Sequence, residues 1–145
     1  MLLILCALQL NAQTESISFE GFINGSPVDL KKDPVIIHTG DTFEIKISGK
    51  AGINYSAEGF KVKYFRIADS KEGRQEMIFE KVFKRKIQLN YSKISFNMNE
   101  LLIDKEFQRM EIMLNNISYW DAKEKKWISI SIHPAKRTFG FFYYK

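Results

Sequence analysis

Apolar and polar residues alternate with a period of two along much of this chain. A β-strand is the regular structure that turns such alternation into one dry face and one wet face. Phe43, Ile45 and Ile47 alternate with Thr42, Glu44, Lys46 and Ser48. Ile128, Ile130 and Ile132 alternate with Ser129, Ser131 and His133, and Met110, Ile112 and Leu114 with Arg109, Glu111 and Asn115. Each segment reads as a strand covering a core on one side.

Other strands are marked by their turns. Ile17, Phe19 and Ile23 share a parity and run into Asn24-Gly25. That dipeptide is favoured in type I′ hairpins, whose two central residues both need positive φ. Val28 to Leu30 is the expected return strand, and Pro27 and Pro34 confine this hairpin to an edge, because proline cannot donate to a ladder. Thr39-Gly40-Asp41 reads as the turn feeding the strand at 42–48. Between Phe60 and Ile67 the parity changes, which a bulge or burial on both faces would explain. Residues 76–98 fit a helix about as well as a strand at Met77–Phe83; they are read as two or three strands broken near 84–86 and 90–93, with Ile87, Leu89 and Tyr91 alternating in the middle. The best helical candidate is Asn99 to Gln108, capped by Asn97 or Asn99 with Glu100 in its first turn. Ile117–Trp120 leads through the charged turn Asp121–Lys126 to a return at Trp127. Thr138–Tyr144, rich in Phe and Tyr, reads as a last strand, either core or an exposed edge, with Gly140 permitting close approach or a bulge. Short strands at roughly 8–15-residue spacing predict a mainly β chain: an antiparallel, Ig-like β-sandwich with at most one short helix near 99–108.

Residues 2–10 are almost wholly apolar, and no charge precedes Glu15. About 20 residues are needed for a helix to cross a bilayer, so this stretch reads instead as a secretory signal over residues 1–12, followed by a single domain over 13–145. The alternative is a buried N-terminal strand. The one cysteine, Cys6, lies inside the expected signal; an exported chain without it would rely on its core and not on disulfides. No later run reaches membrane-spanning length. Cleavage after Ala12 removes no charge, so the net charge stays at +5. That favours anionic surfaces such as phospholipid headgroups or acidic glycans, while export argues against nucleic acid. Periplasm or extracellular space is the expected destination.

Motifs that carry chemistry are not found. His38 and His133 are isolated and read as structural or exposed, where a zinc site would need three or four ligands with recognisable spacing. No nucleophile elbow, phosphate loop or metalloprotease helix occurs. Glu58, Asp69 and Asp121 are no more than loop carboxylates. The chain is therefore read as a non-enzyme without cofactor or metal. Its candidate interaction residues fall in two groups. Tyr119, Trp120 and Trp127 flank one turn and would either pair across strands or offer a stacking platform for sugar rings, with Asp121 or Asn116 as hydroxyl partners. Lys84, Arg85 and Lys86, with Lys81, form a basic cluster that would either meet an anionic partner or guard an edge strand against unwanted pairing.

Residues 60–139 carry FKVKYFRI at 60–67, ISFNMNELL at 94–102, RMEIMLNNI at 109–117 and WISISI at 127–132. This pattern resembles the C-terminal domain of the gliding-motility protein GldM, a periplasmic component of the type IX secretion and gliding machinery, and the leader ending LQLNAQ has the look of exports from the same kind of envelope. The resemblance implies a β-sandwich-like module used for protein contacts and brings no catalytic residues. It does not extend to the family's long shaft and membrane anchor, so it implies no role in the motor. The expected function is an exported module that contacts an envelope protein; a carbohydrate-binding module built on the tryptophan hairpin is the alternative.

Overall fold

A computed structural model describes residues 17–31, 35–69, 71–84 and 93–145. Ten strands form among them, in two sheets. The smaller sheet has the order β2-β1-β4-β7, from β1 (Ser18–Ile23), β2 (Ser26–Val28), β4 (Thr42–Ser48) and β7 (Lys93–Asn97). The larger has the order β3-β10-β8-β5-β6, from β3 (Ile36–His38), β5 (Tyr55–Asp69), β6 (Arg74–Lys84), β8 (Arg109–Asp121) and β10 (Thr138–Tyr144), with β9 (Lys126–Ser129) hairpinned onto the end of β8. The mainly β, sandwich-like reading holds. It departs from an all-antiparallel scheme at one place, where β3 runs parallel to β10.

The core is what the alternation dictated. Phe43, Ile45 and Ile47 point inward from β4, Met110, Ile112 and Leu114 from β8, and Phe139, Phe141 and Tyr143 from β10. Aromatic rings tie the sheets together: Phe43 meets Phe141 edge-on at 4.6 Å, and Phe60 of β5 stacks on Phe96 of β7 at 5.4 Å. Such pairs add to the burial that drives the packing. The last strand is thus core on one face, not an exposed edge.

Turn chemistry behaves as its residues require. Asn24 and Gly25 take φ of 50° and 80°, and β2 with Pro27 sits at the sheet edge. Pro34, Ile87, Leu89 and Tyr91 lie outside the described residues. In the hairpin between β8 and β9 the Asp121 carboxylate accepts from the Lys123 and Glu124 amides, closing the charged turn.

Two local expectations are corrected and a third is met. The helix α1 spans only Met98–Leu101, with Asn97 as its cap. Buried Leu101 ends it: its carbonyl accepts from the Tyr64 hydroxyl at 2.5 Å, and Leu102 is already extended, so the chain runs on to bury Phe107 against Tyr64 and Tyr143. The strand expected through Ile132 ends at Ser129; the Ile130 amide still donates to the Ile117 carbonyl at 2.8 Å, and Ile130 and Ile132 stay buried. The bulge expected between Phe60 and Ile67 is present, on the partner strand β6. Phe60, Val62 and Tyr64 face the core, Phe65 and Ile67 the opposite side, and the register shift falls where Tyr64 pairs with Phe79 but Phe65 with Met77, leaving Ile78 of β6 as the extra residue. The parity of β5 and β8 changes elsewhere, at Glu58 and Asn116. Asn116 has φ of 48° and donates to the Glu58 carboxylate at 2.7 Å, and the core-facing positions shift to Ala57 and Ile117.

Candidate functional site

The expected tryptophan hairpin is a cross-strand pair. Trp120 stands opposite Trp127 with ring centroids 5.6 Å apart and planes at 65°. Both are half-buried. Tyr119, one residue away, turns inward against the core, so alternation sends Trp120 to the outer face. Burial, followed by the Asp121 charge and Tyr55, pushes the Tyr119 hydroxyl pKa up. Tyr119 therefore does not share a platform with the two indoles. Asp121 is engaged in its own turn and Asn116 in its bond to Glu58.

Lys84 ends β6, the outermost strand of the larger sheet among the described residues, and pairs with Gly59. Arg85 and Lys86 lie outside the described residues. Asn115, which faces Gly59 from β8, is five residues from Trp120, roughly 17 Å at strand rise. Lys84 and the tryptophan pair therefore do not form one site.

The isolated polar residues act locally. The His133 ring accepts from the Ala135 amide at 3.2 Å and caps the 3-10 turn at Pro134–Arg137. The Asp41 carboxylate accepts from the Asn24 side chain and from the His38 amide, both at 2.8 Å, and these bonds, the Asn24 one foremost, hold its pKa below the usual value. Asp69 closes its own turn onto Lys71. Among the described residues no group of three or more His, Cys, Asp or Glu is placed to hold a metal ion. A cleft of about 1040 Å³ opens between the β1–β2 hairpin and the start of β10, walled by Phe19, Val28, Leu30, Ile132 and Phe139. Its charged rim of Glu20, Asp29, Lys31 and Lys136 carries balanced charge, and the cleft borders residues outside the description.

A different surface gathers exposed apolar side chains. On the outer face of the larger sheet, register places five residues in one row across five strands: Ile36 of β3 beside Phe142 of β10, then Arg109 of β8, Phe65 of β5 and Met77 of β6. The neighbouring row holds Tyr144 and Ile67. Ile36, Ile67, Met77 and Tyr144 are 43%, 39%, 52% and 56% exposed, and they are four of the seven large apolar side chains exposed among the described residues. Clusters of this kind are uncommon on surfaces that meet only water.

Arg109 organises the centre. Its guanidinium lies over the Phe65 ring at 5.4 Å, and Nη1 donates to Glu111 at 2.8 Å and to Gln75 at 2.9 Å. A planar cation stacked on an aromatic ring, flanked by Met, Phe and Tyr, is the composition enriched at protein interfaces.

Compared with known proteins, the chain matches no family model, no curated protein and no solved structure. Sequence reasoning passed over the outer face, yet it left a trace there. Ile36, Phe65, Met77, Phe142 and Tyr144 sit where alternation is broken by adjoining apolar residues: Val35-Ile36-Ile37, Tyr64-Phe65, Met77-Ile78-Phe79 and Phe141-Phe142-Tyr143-Tyr144. In a strand with a clean wet face, such doublets leave one apolar side chain outside.

Proposed function

We propose that this chain is an exported, non-enzymatic β-sandwich module for protein–protein contacts in the cell envelope, related to gliding and type IX secretion components. The observation that carries the reading is the row Ile36, Phe142, Arg109, Phe65 and Met77, an apolar and aromatic band with a pinned arginine on one outer sheet face. The apolar leader and the net charge of +5 support an exported chain that works near anionic surfaces. Affinity capture from the native envelope tests the contact reading. Recovery of a defined protein that is lost on Ile36→Lys or Met77→Glu is expected; capture unaffected by both changes rejects the face as the contact surface. Export is tested by fractionation with N-terminal sequencing. A mature start near Gln13 outside the cytoplasm is expected, and an intact Met1 in the cytosol rejects it.

A second reading rests on Trp120 and Trp127, which are half-buried and stand outside the core. An indole face there can stack on a sugar ring. Retention on glycans that disappears in Trp120→Ala and Trp127→Ala would favour this carbohydrate-binding alternative.

A further inference from the structure

Strand β6 leaves one side of its backbone without a partner strand. The Phe65 carbonyl accepts from the Gln108 amide at 3.0 Å, so Phe65 turns its backbone groups to the β8 side. Successive residues of a strand turn theirs to opposite sides, so Phe60, Val62 and Tyr64 turn to β6, where Phe83, Lys81 and Phe79 stand opposite them. The Phe83 carbonyl oxygen is also the atom nearest a Cβ built on Gly59, which places that carbonyl on the β5 side. Glu80, Val82 and Lys84 therefore direct their N–H and C=O groups away from β5, to an edge where no strand lies among the described residues.

The bulge at Ile78 blunts the start of this edge. Beyond it the run Phe79–Lys84 is regular, contains no proline and extends about 20 Å at strand rise. Phe79 and Val82 are 39% and 51% exposed, one on each side of the strand. Charge along the run is one-sided. The Glu80 carboxylate is held by Lys61 of β5 at 3.3 Å, while Lys81 and Lys84 have no carboxylate partner among the described residues. Lys81 lies over the Phe83 ring at 4.8 Å, and Lys105 over the Phe79 ring at 5.5 Å, so each ring at this edge carries a cation.

We infer that the Phe79–Lys84 edge is a docking site for an extended, acidic segment of a partner protein, which joins the larger sheet as a further strand. A bare strand edge offers a donor and an acceptor at every second residue, a spacing that another extended peptide matches. Lysines on such an edge repel a second copy of it and attract carboxylates. Cross-strand pairing sets the partner's pattern: acidic residues opposite Lys81 and Lys84, apolar ones opposite Val82 and Phe83. The site goes beyond the outer-face row, because backbone groups at 80–84 form it and neither Ile36 nor Met77 is needed.

The probe is the capped peptide Thr-Thr-Asp-Val-Val-Asp-Thr-Thr, which reads the same in both directions and so serves a parallel or an antiparallel addition. The readout is amide hydrogen exchange of the full chain by NMR. In the free protein the amides of Glu80, Val82 and Lys84 should exchange fast and those of Phe79, Lys81 and Phe83 slowly. At about 1 mM peptide the fast set should slow by about tenfold, the factor expected for dissociation near 100 µM. Replacing both aspartates of the peptide by lysine should weaken binding by about tenfold or more. Val82→Pro removes an outward N–H and no bond to β5, so it should abolish the protection; proline is tolerated on edge strands. Should that variant fail to fold, Lys81→Glu combined with Lys84→Glu, both exposed, should reject the aspartate peptide and accept the lysine one. Ile36→Lys should leave the protection unchanged.

No alternation in the free protein, no slowing at about 1 mM, or equal binding of the two peptides would each overturn the inference. So would protection that survives Val82→Pro or disappears in Ile36→Lys. An envelope protein captured through Ile36 and Met77, with no peptide at residues 80–84, overturns the edge site and leaves the outer-face reading standing. Peptide protection together with capture insensitive to Ile36 and Met77 rejects the outer face and leaves the edge site standing.

Discussion

The Arg109 side chain lies against Gly140. A Cβ built on Gly140 would stand 2.8 Å from Arg109 Nη2, closer than ordinary contact allows. Gly140 sits on the outward side of β10, between buried Phe139 and Phe141, and faces Glu111 across the ladder. The missing side chain leaves space for the guanidinium to lie flat, so the shape of the outer face depends on a residue that contributes no atoms to it beyond backbone.

Gly140→Ala should displace the guanidinium at little cost to the fold. The obstructing atom is the end of a flexible side chain, and alanine is better than glycine within a strand, so stability should change by less than about 1 kcal/mol. Capture of a protein partner through the face should weaken by about tenfold, measured beside a urea titration. A loss of several kcal/mol would mean that Arg109 cannot move aside.

Gly59→Ala is the contrasting case. Its Cβ would fall 2.3 Å from the Phe83 carbonyl oxygen, a backbone atom of the neighbouring strand. The strands must part to admit it, and a cost of about 1–3 kcal/mol is expected in urea unfolding. An unchanged unfolding midpoint would show that β5 and β6 are looser there than the register implies.

Tyr64→Phe removes the donor to the Leu101 carbonyl and should cost about 1–3 kcal/mol at neutral pH. Burial pushes the Tyr64 pKa up to about 12 from 10.0, so between these values the folded chain holds the proton more tightly than the unfolded chain. Stability should therefore fall as pH rises from about 10 to about 12. This part of the alkaline loss should vanish in Tyr64→Phe, and identical pH profiles for parent and variant would contradict the assignment.

Asp41 acts at the other end of the scale. Bonds from Asn24 and His38 lower its pKa, so it contributes stability above the ordinary carboxylate range that is lost as pH falls through the folded value. Asp41→Asn should flatten the acid limb of a stability profile measured from about pH 6 to 2. An acid limb of undiminished slope would assign it to other carboxylates.

Trp120 and Trp127 should couple. A double-mutant cycle with alanine at each position should give an interaction of about 0.5–1.5 kcal/mol, the range for edge-to-face aromatic pairs. A coupling near zero would remove the pair as a clasp for the β8–β9 hairpin.

Local rules made much of the fold legible. Alternation at Phe43-Ile45-Ile47 and Met110-Ile112-Leu114 named core faces, because a strand has only two sides and water occupies one of them. Asn24-Gly25 named a hairpin because few residues tolerate its dihedral angles. The helix was misjudged in length, since its end is set by Tyr64, 37 residues before Leu101, taking that carbonyl. Likewise nothing in the sequence of β3 shows that it lies parallel to β10. The candidate face was half visible. Adjoining apolar residues at Ile36-Ile37, Tyr64-Phe65 and Tyr143-Tyr144 signalled side chains on the wet side, but only cross-strand register brought Ile36, Phe142, Arg109, Phe65 and Met77 into one row. What the sequence by itself determined was the dry side of the cleanly alternating strands such as β4 and the body of β8, because backbone geometry fixes that locally. What only the tertiary structure decided was which outward residues become neighbours, because that depends on strand order and register, set by packing between segments far apart in the chain.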